Sequence, residues 1–114
     1  MDIGSVEKGA AAFAAASCVA CHAVDDTTVR NGPPVGCTYE RAVAGHPDFP
    51  YSATLADNRE TRWTAESLDA FLSEPDAWSG GTAMAGAAVP DQQDRADIIA
   101  YLASLALARE CSRR

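Results

Sequence analysis

Cys18-Val19-Ala20-Cys21-His22 is the stretch on which the reading of this chain turns. Two thiols separated by two residues and followed at once by an imidazole form the C-x-x-C-H pattern of covalent c-type haem attachment. Thiols three residues apart at the end of a helix can add to the two vinyl groups on one porphyrin edge. The next imidazole then lies under the ring, within reach of iron. A shuffled chain with this chain's four Cys and two His contains the pattern ~0.002 times, so chance explains it poorly. Two other chemistries use such cysteines. A zinc site would draw on Cys18, Cys21, Cys37 and His46, although the last two lack the paired spacing of a second ligand pair. A thioredoxin-like dithiol needs a strand-rich βαβ setting, and no strand-like alternation is present.

The composition asks for an interior supplied from outside. Of 114 residues, 24 are Ala, while Leu, Ile, Val and Phe together number 19. That is about 17%, under the roughly 20% expected of self-sufficient folded domains. With a net charge of −7, the chain is poor in the apolar surface that offsets ordering entropy. Local order is nevertheless encoded, so a cofactor, a metal, crosslinks or a partner must complete the core. Lys8 is the single lysine, which argues against nucleic acid and anionic membranes as partners. No run of 18 apolar residues exists, so no bilayer span is expected. The Ala-rich stretch 10–16 lacks the basic flank of a secretory signal. The chain therefore reads as the mature form of an exported precursor, a single domain over 1–114.

Three main helices are legible, and the fold class is all-α with long loops. The first runs from about Ser5 to Ser17, with Val6, Gly9, Ala10 and Phe13 on one face. The second is capped by Thr64, with Trp63 and Leu68 at the two positions of a hydrophobic staple and Leu68, Phe71 and Leu72 as its buried stripe. Pro75 ends it and opens a further short turn. The third follows Pro90, with Asp91 as cap, Asp94 in the first turn, and Ile98, Ile99, Tyr101, Leu102 and Leu105 facing the core. Arg109, Arg113 and Arg114 gather at its C-terminal end, where the helix dipole favours positive charge. Between His22 and Trp63 lies a long stretch rich in Gly, Pro, Asn and Asp without sustained periodicity. A loop wrapped around a large apolar ligand accounts for that length.

His22 supplies one axial ligand, and the occupant of the other side separates electron transfer from gas binding or catalysis. Only Met1 and Met84 are methionines. Met84 lies in Gly80-Gly81-Thr82-Ala83-Met84-Ala85-Gly86, a run of small residues able to approach a flat cofactor face. A lone Met is ordinarily core filler, but these neighbours offer little core to fill. A His22/Met84 pair binds both Fe(II) and Fe(III), and the neutral thioether favours the reduced state.

Taken together, these residues resemble class I cytochromes c of the mitochondrial and photosynthetic-bacterial type. The resemblance rests on Val6-Glu7-Lys8-Gly9 with Phe13, the attachment motif, Gly32-Pro33-Pro34-Val35, Arg41, Tyr51-Ser52, Trp63, Leu68, Pro75, Gly81-Thr82-Ala83-Met84 and Arg95-Ala96-Asp97-Ile98-Ile99-Ala100-Tyr101-Leu102. It implies the cytochrome c fold, with short helical turns and long loops around one covalent haem. The first and third helices should cross, with Gly9 allowing close approach near Tyr101 and Leu102. It implies that the Pro33 carbonyl accepts the Nδ1 proton of His22, that Tyr51, Trp63 and Arg41 hold the propionates, and that Thr82 hydrogen-bonds beside the distal ligand. Where the family carries a tyrosine hydroxyl near the Met sulfur, this chain has Phe71. Gly86 and Ala87 replace an aromatic that shields the haem edge, and Leu55 stands where a polar residue near a propionate is usual.

Cys37 and Cys111 are left over from the motif. By resemblance to the family fold, the loop after Val35 runs near the end of the last helix, which implies a Cys37–Cys111 disulfide. Two separate thiols are the alternative. His46, before Pro47, is expected to face solvent without a role. The functional expectation is a monomeric periplasmic one-electron carrier, not an enzyme, meeting redox donors and acceptors at its haem edge without a ring of lysines. The alternatives are an electron-relay haem subunit or domain of a redox enzyme, and a ligand-binding or peroxidatic haem protein with a labile Met84.

Overall fold

The computed structural model describes residues 4–16, 18–79, 88–109 and 111. Among the described residues six helices follow in order: α1 Val6–Ala15, α2 Cys18–Cys21, α3 Ala53–Ala56, α4 Ala65–Ser73, α5 Pro75–Ser79 and α6 Gln92–Arg109. The three long ones are the three read from the sequence. Among the described residues the only strand-like pairing is one antiparallel bridge between Ala42 and Arg62.

Each long helix starts where its side chains can satisfy free amides. The Ser5 hydroxyl accepts from the Lys8 amide at 3.2 Å. Thr64 and Ser67 form a reciprocal capping box, each side chain accepting from the other's backbone N–H. Asp91 Oδ1 accepts from the amides of Gln93 at 2.7 Å and Asp94 at 3.0 Å. Pro75 occupies the first position of α5, where its missing N–H costs nothing.

α1 lies across α6, and α4 also packs against α6. The crossing is close because Gly9 has no side chain: a Cβ there would overlap the Asp97 carbonyl and meet Tyr101 Cβ at 2.8 Å. Asp97, more than Leu102, is therefore the residue that Gly9 admits. Phe13 stacks obliquely on Tyr101, ring centres 5.7 Å apart. The face of α1 is narrower than the sequence suggests. Gly9 and Phe13 are buried, but Ala10 is exposed and Val6 is 46% exposed.

The long connection is held by its own backbone pairing. The segment after the motif doubles back, with Gly32 N–H donating to Cys21 at 2.9 Å, Val35 to Ala23 at 2.9 Å and Gly36 to Asp25 at 2.8 Å. Residues 40–43 then run antiparallel to 61–63, through Glu40 N–H to Trp63 O at 2.7 Å and Val43 N–H to Thr61 O at 2.8 Å. Glu40 and Ala44 turn this segment with φ of 70° and 56°. On the far side, Val89 N–H donates to Leu72 O at 2.8 Å, and Arg95 links Asp69 on α4 at 2.7 Å to the Val89 and Pro90 carbonyls.

Candidate functional site

The helices and the doubled-back loop enclose a cavity of about 400 Å³. That is the size of a small-molecule or cofactor site. Cys18 and His22 line it from the motif, Pro33, Pro34 and Val35 from the returning loop, Leu68 and Phe71 from α4, and Ile98 and Leu102 from α6. Its wall is largely apolar. The sparse core foreseen from composition is thus a shell of side chains around a space.

α2 is a single turn, and it places Cys18 and Cys21 half-buried and unpaired, with His22 directly after them. His22 Nδ1 lies 2.7 Å from the Pro33 carbonyl. A carbonyl only accepts, so the proton sits on Nδ1 and the Nε2 lone pair is left for a metal. Burial pushes the His22 pKa below its ordinary value, against the opposite pull of the Pro33 carbonyl. Burial thus favours the neutral ring, the form that ligates. Gly32 is required beside it, since a Cβ there would collide with the imidazole. Burial likewise pushes the Cys18 thiol up.

One corner of the cavity is polar. Arg41 is only 4% exposed, and its two terminal nitrogens donate to the Asp26 carboxylate at 3.1 and 3.2 Å. Its Nε is buried without a hydrogen-bond partner. Tyr51 lines the same cavity, and its hydroxyl accepts from the His46 amide at 3.1 Å, leaving its own proton to donate. Burial raises the Tyr51 phenol, with the His46 amide acting in the opposite sense. Trp63 is buried in the lining, edge-on to Phe71 at 5.0 Å and tilted against Trp78 at 5.5 Å. An apolar space with a guanidinium and a phenol hydroxyl in one corner fits a flat apolar ring carrying carboxylate arms. Haem has that chemistry.

His46 corrects the sequence expectation. It is 5% exposed, with Nε2 2.9 Å from the Asp26 carbonyl and the Asp48 amide donating to Nδ1 at 3.1 Å. Two backbone groups of opposite polarity thus fix the ring with its proton on Nε2. Cys37 and Cys111 are joined in a disulfide with Cα atoms 5.7 Å apart. With Cys37 bonded, the four-residue zinc set is not assembled, and no group of three or more metal-ligating side chains occurs among the described residues. Thr82, Met84, Gly86 and Ala87 lie outside the described residues.

An all-α shell around such a cavity, with a C-x-x-C-H turn in its wall, defines a haem-binding helical protein. The family model for cytochrome c matches residues 6–106. The chain belongs to the cytochrome c family, whose members carry covalently attached haem c through a cysteine pair. It is 40% identical over 107 residues to a cytochrome c homolog of Bradyrhizobium diazoefficiens, covering 92% of this chain and 56% of that protein. It is 39% identical over 89 residues to the cytochrome c-type cyt cy of Rhodobacter capsulatus, covering 78% and 44%. The chain therefore spans about half the length of these two relatives. Cytochrome c2 of Agrobacterium tumefaciens is 35% identical over 102 residues, covering 87% and 90%. Among solved structures, cytochrome c2 from Rhodospirillum centenum matches with a TM-score of 0.76 at 30% identity, covering 90% of this chain and 98% of that one. Cytochrome cH from Methylobacterium extorquens matches at 0.77 and 27%, covering 89% and 99%.

The residues whose roles the sequence did not reveal are Asp26 and Asp97, the second quoted only within the stretch 95–102. Both are acids in a strongly acidic chain, where the ordinary assignment of a carboxylate is a solvated surface. Nothing local distinguishes them.

Proposed function

We propose that this chain is a one-electron carrier, with haem tethered through Cys18 and Cys21 and held between His22 and Met84. The observation that carries the reading is the Nδ1 of His22 fixed on the Pro33 carbonyl at 2.7 Å in the wall of the cavity that Cys18 also lines. Bound haem supplies the Fe(II)/Fe(III) couple. The chain's part is to orient His22, exclude water with Leu68, Phe71, Ile98 and Leu102, and meet the propionates with Arg41, Tyr51 and Trp63. Thr82 orients the distal side. With both ligands to iron supplied by His22 and Met84, the haem would move electrons without making bonds, so the protein is not an enzyme.

This cytochrome c unit acts as a monomer in the periplasm. Thioether formation and the Cys37–Cys111 bond both suit an oxidising compartment. Among the described residues no helix is long and apolar enough to cross a membrane. Its partners are redox proteins that dock at the haem edge. With a net charge of −7 and one lysine, it docks through an apolar haem-edge patch or onto a less acidic partner.

The visible spectrum tests this reading. The expected outcome is a c-type spectrum whose colour stays with the denatured chain, and a six-coordinate ferric form with a sulfur-to-iron band that Met84→Ala abolishes. Colourless, natively compact protein overturns it. The greater length of the Bradyrhizobium and Rhodobacter relatives supports a second reading, the same haem unit relaying electrons within a longer chain or complex. Copurification with a redox enzyme selects that reading. Rapid carbon monoxide binding by the reduced form selects a ligand-binding protein instead.

A further inference from the structure

The haem reading gives Arg41 a propionate to meet and leaves its half-buried carboxylate partner, Asp26, without a task. Arg41 lines the cavity, is almost fully buried, and cannot lose its proton in a protein. Asp26 meets it with both carboxylate oxygens, at 3.1 and 3.2 Å, in the two-pronged geometry that makes a strong charge-assisted pair. Asp26 is not a surface side chain that has drifted there. Its carbonyl accepts from His46 Nε2 at 2.9 Å, and the same ring nitrogen lies 3.8 Å from its Oδ1. His46 is in turn held by the Asp48 amide and, through its own amide, by the Tyr51 hydroxyl. A lattice of four hydrogen-bonded residues thus sets one carboxylate against the guanidinium.

We propose that Asp26 is the counter-ion that cancels the Arg41 charge at the cavity wall and so holds the reduction potential of the site below the value an unpaired Arg41 would give. The proposal rests on the haem reading above. A positive charge beside a redox centre penalises the more positive, oxidised state. In a shielded wall, that field is weakly screened by solvent and salt. A carboxylate seated on the guanidinium turns the lone charge into a pair whose field falls off much faster with distance. Asp26 acts here through Arg41 and is a positioning residue.

The test is the midpoint potential of the haem-loaded protein, wild type against Asp26→Asn, with Glu60→Gln as a control that removes an exposed acid. The expected result is a rise in Asp26→Asn that persists at about 1 M salt, where the field of an exposed charge is screened within a few ångströms, and a much smaller change in Glu60→Gln. An unchanged or lower potential, a rise that disappears at high salt, or an equal rise in Glu60→Gln overturns the proposal. Where Asp26→Asn does not accumulate, the double variant Asp26→Asn/Arg41→Gln reads the same relation. Removing both charges leaves the potential near wild type, and a value as far below wild type as that of Arg41→Gln alone overturns the proposal. A preparation with no c-type spectrum sinks the haem reading itself, whereas a loaded protein with an unmoved potential sinks only the role of Asp26.

Discussion

The backbone N–H of Ser5 donates to Oδ1 of Asp97 at 2.8 Å, joining residues 92 positions apart at the crossing of α1 and α6. Gln93 Nε2 donates to the same oxygen at 2.9 Å. These two bonds, the Ser5 amide first, hold the Asp97 carboxyl below the usual carboxylate range. A group whose pKa is depressed on folding stabilises the fold above its unfolded value, about 3.9, and that contribution disappears as pH falls through the folded value. Asp97→Asn is therefore expected to be less stable than wild type at neutral pH, with the gap closing at acid pH as the wild-type carboxyl protonates. Denaturant melts at the two pH values measure this. An equal gap at both shows that the charge of Asp97 contributes nothing.

Gly9 packs on the same residue from the other helix. A methyl group at position 9 overlaps the Asp97 carbonyl, which is backbone and cannot swing aside. Gly9→Ala must then push α1 off α6, and overpacking of this kind costs about 1–3 kcal/mol. The gain in helix propensity, up to about 1 kcal/mol, offsets part of this. Net destabilisation of haem-loaded protein in a denaturant melt is expected, and a stabilised Gly9→Ala excludes a close crossing at this point.

The elements legible in the sequence are those whose cause is local. Thr64 and Asp91 reach amides two or three residues away, and Phe13, Leu68 and Ile98 sit in helical stripes that a window along the chain can see. The attachment turn is likewise contained in five residues. Asp26, His46 and Asp97 were opaque because their partners lie 15, 20 and 92 residues away. The loop context of His46, beside Pro47, looks like that of a solvated residue until the chain doubles back. α2 and α3 are four residues each, too short for any periodicity to show.

The Cys37–Cys111 bond ties the loop that follows Pro33 to the chain just beyond α6, across a sequence separation of 74. Closing a loop of that length removes freedom mainly from the unfolded chain, so the stabilisation is about 2–4 kcal/mol. The paired variant Cys37→Ser/Cys111→Ser is expected to lose that amount in a denaturant melt while its haem spectrum stays that of wild type. Wild-type protein, denatured without reductant, should show no thiol that reacts. Two reactive thiols in haem-loaded protein contradict the bond.

Phe71 is a buried lining residue of the cavity, edge-on to Trp63 at 5.0 Å and to Trp78 at 6.2 Å, and it brings no hydroxyl to the axial side assigned to Met84. A thioether sulfur that donates no electron density to a hydrogen bond is a better donor to ferric iron, and the potential is correspondingly lower. Phe71→Tyr adds one oxygen to a side chain of nearly the same shape. It is expected to raise the midpoint potential and to weaken the sulfur-to-iron band of the ferric form, because the new O–H competes with iron for the sulfur lone pair. The direction separates this effect from simple disturbance of packing. Added water around the haem would stabilise the more highly charged ferric state and lower the potential, so an unchanged or lower value in Phe71→Tyr rules out hydrogen bonding to the sulfur as the controlling term.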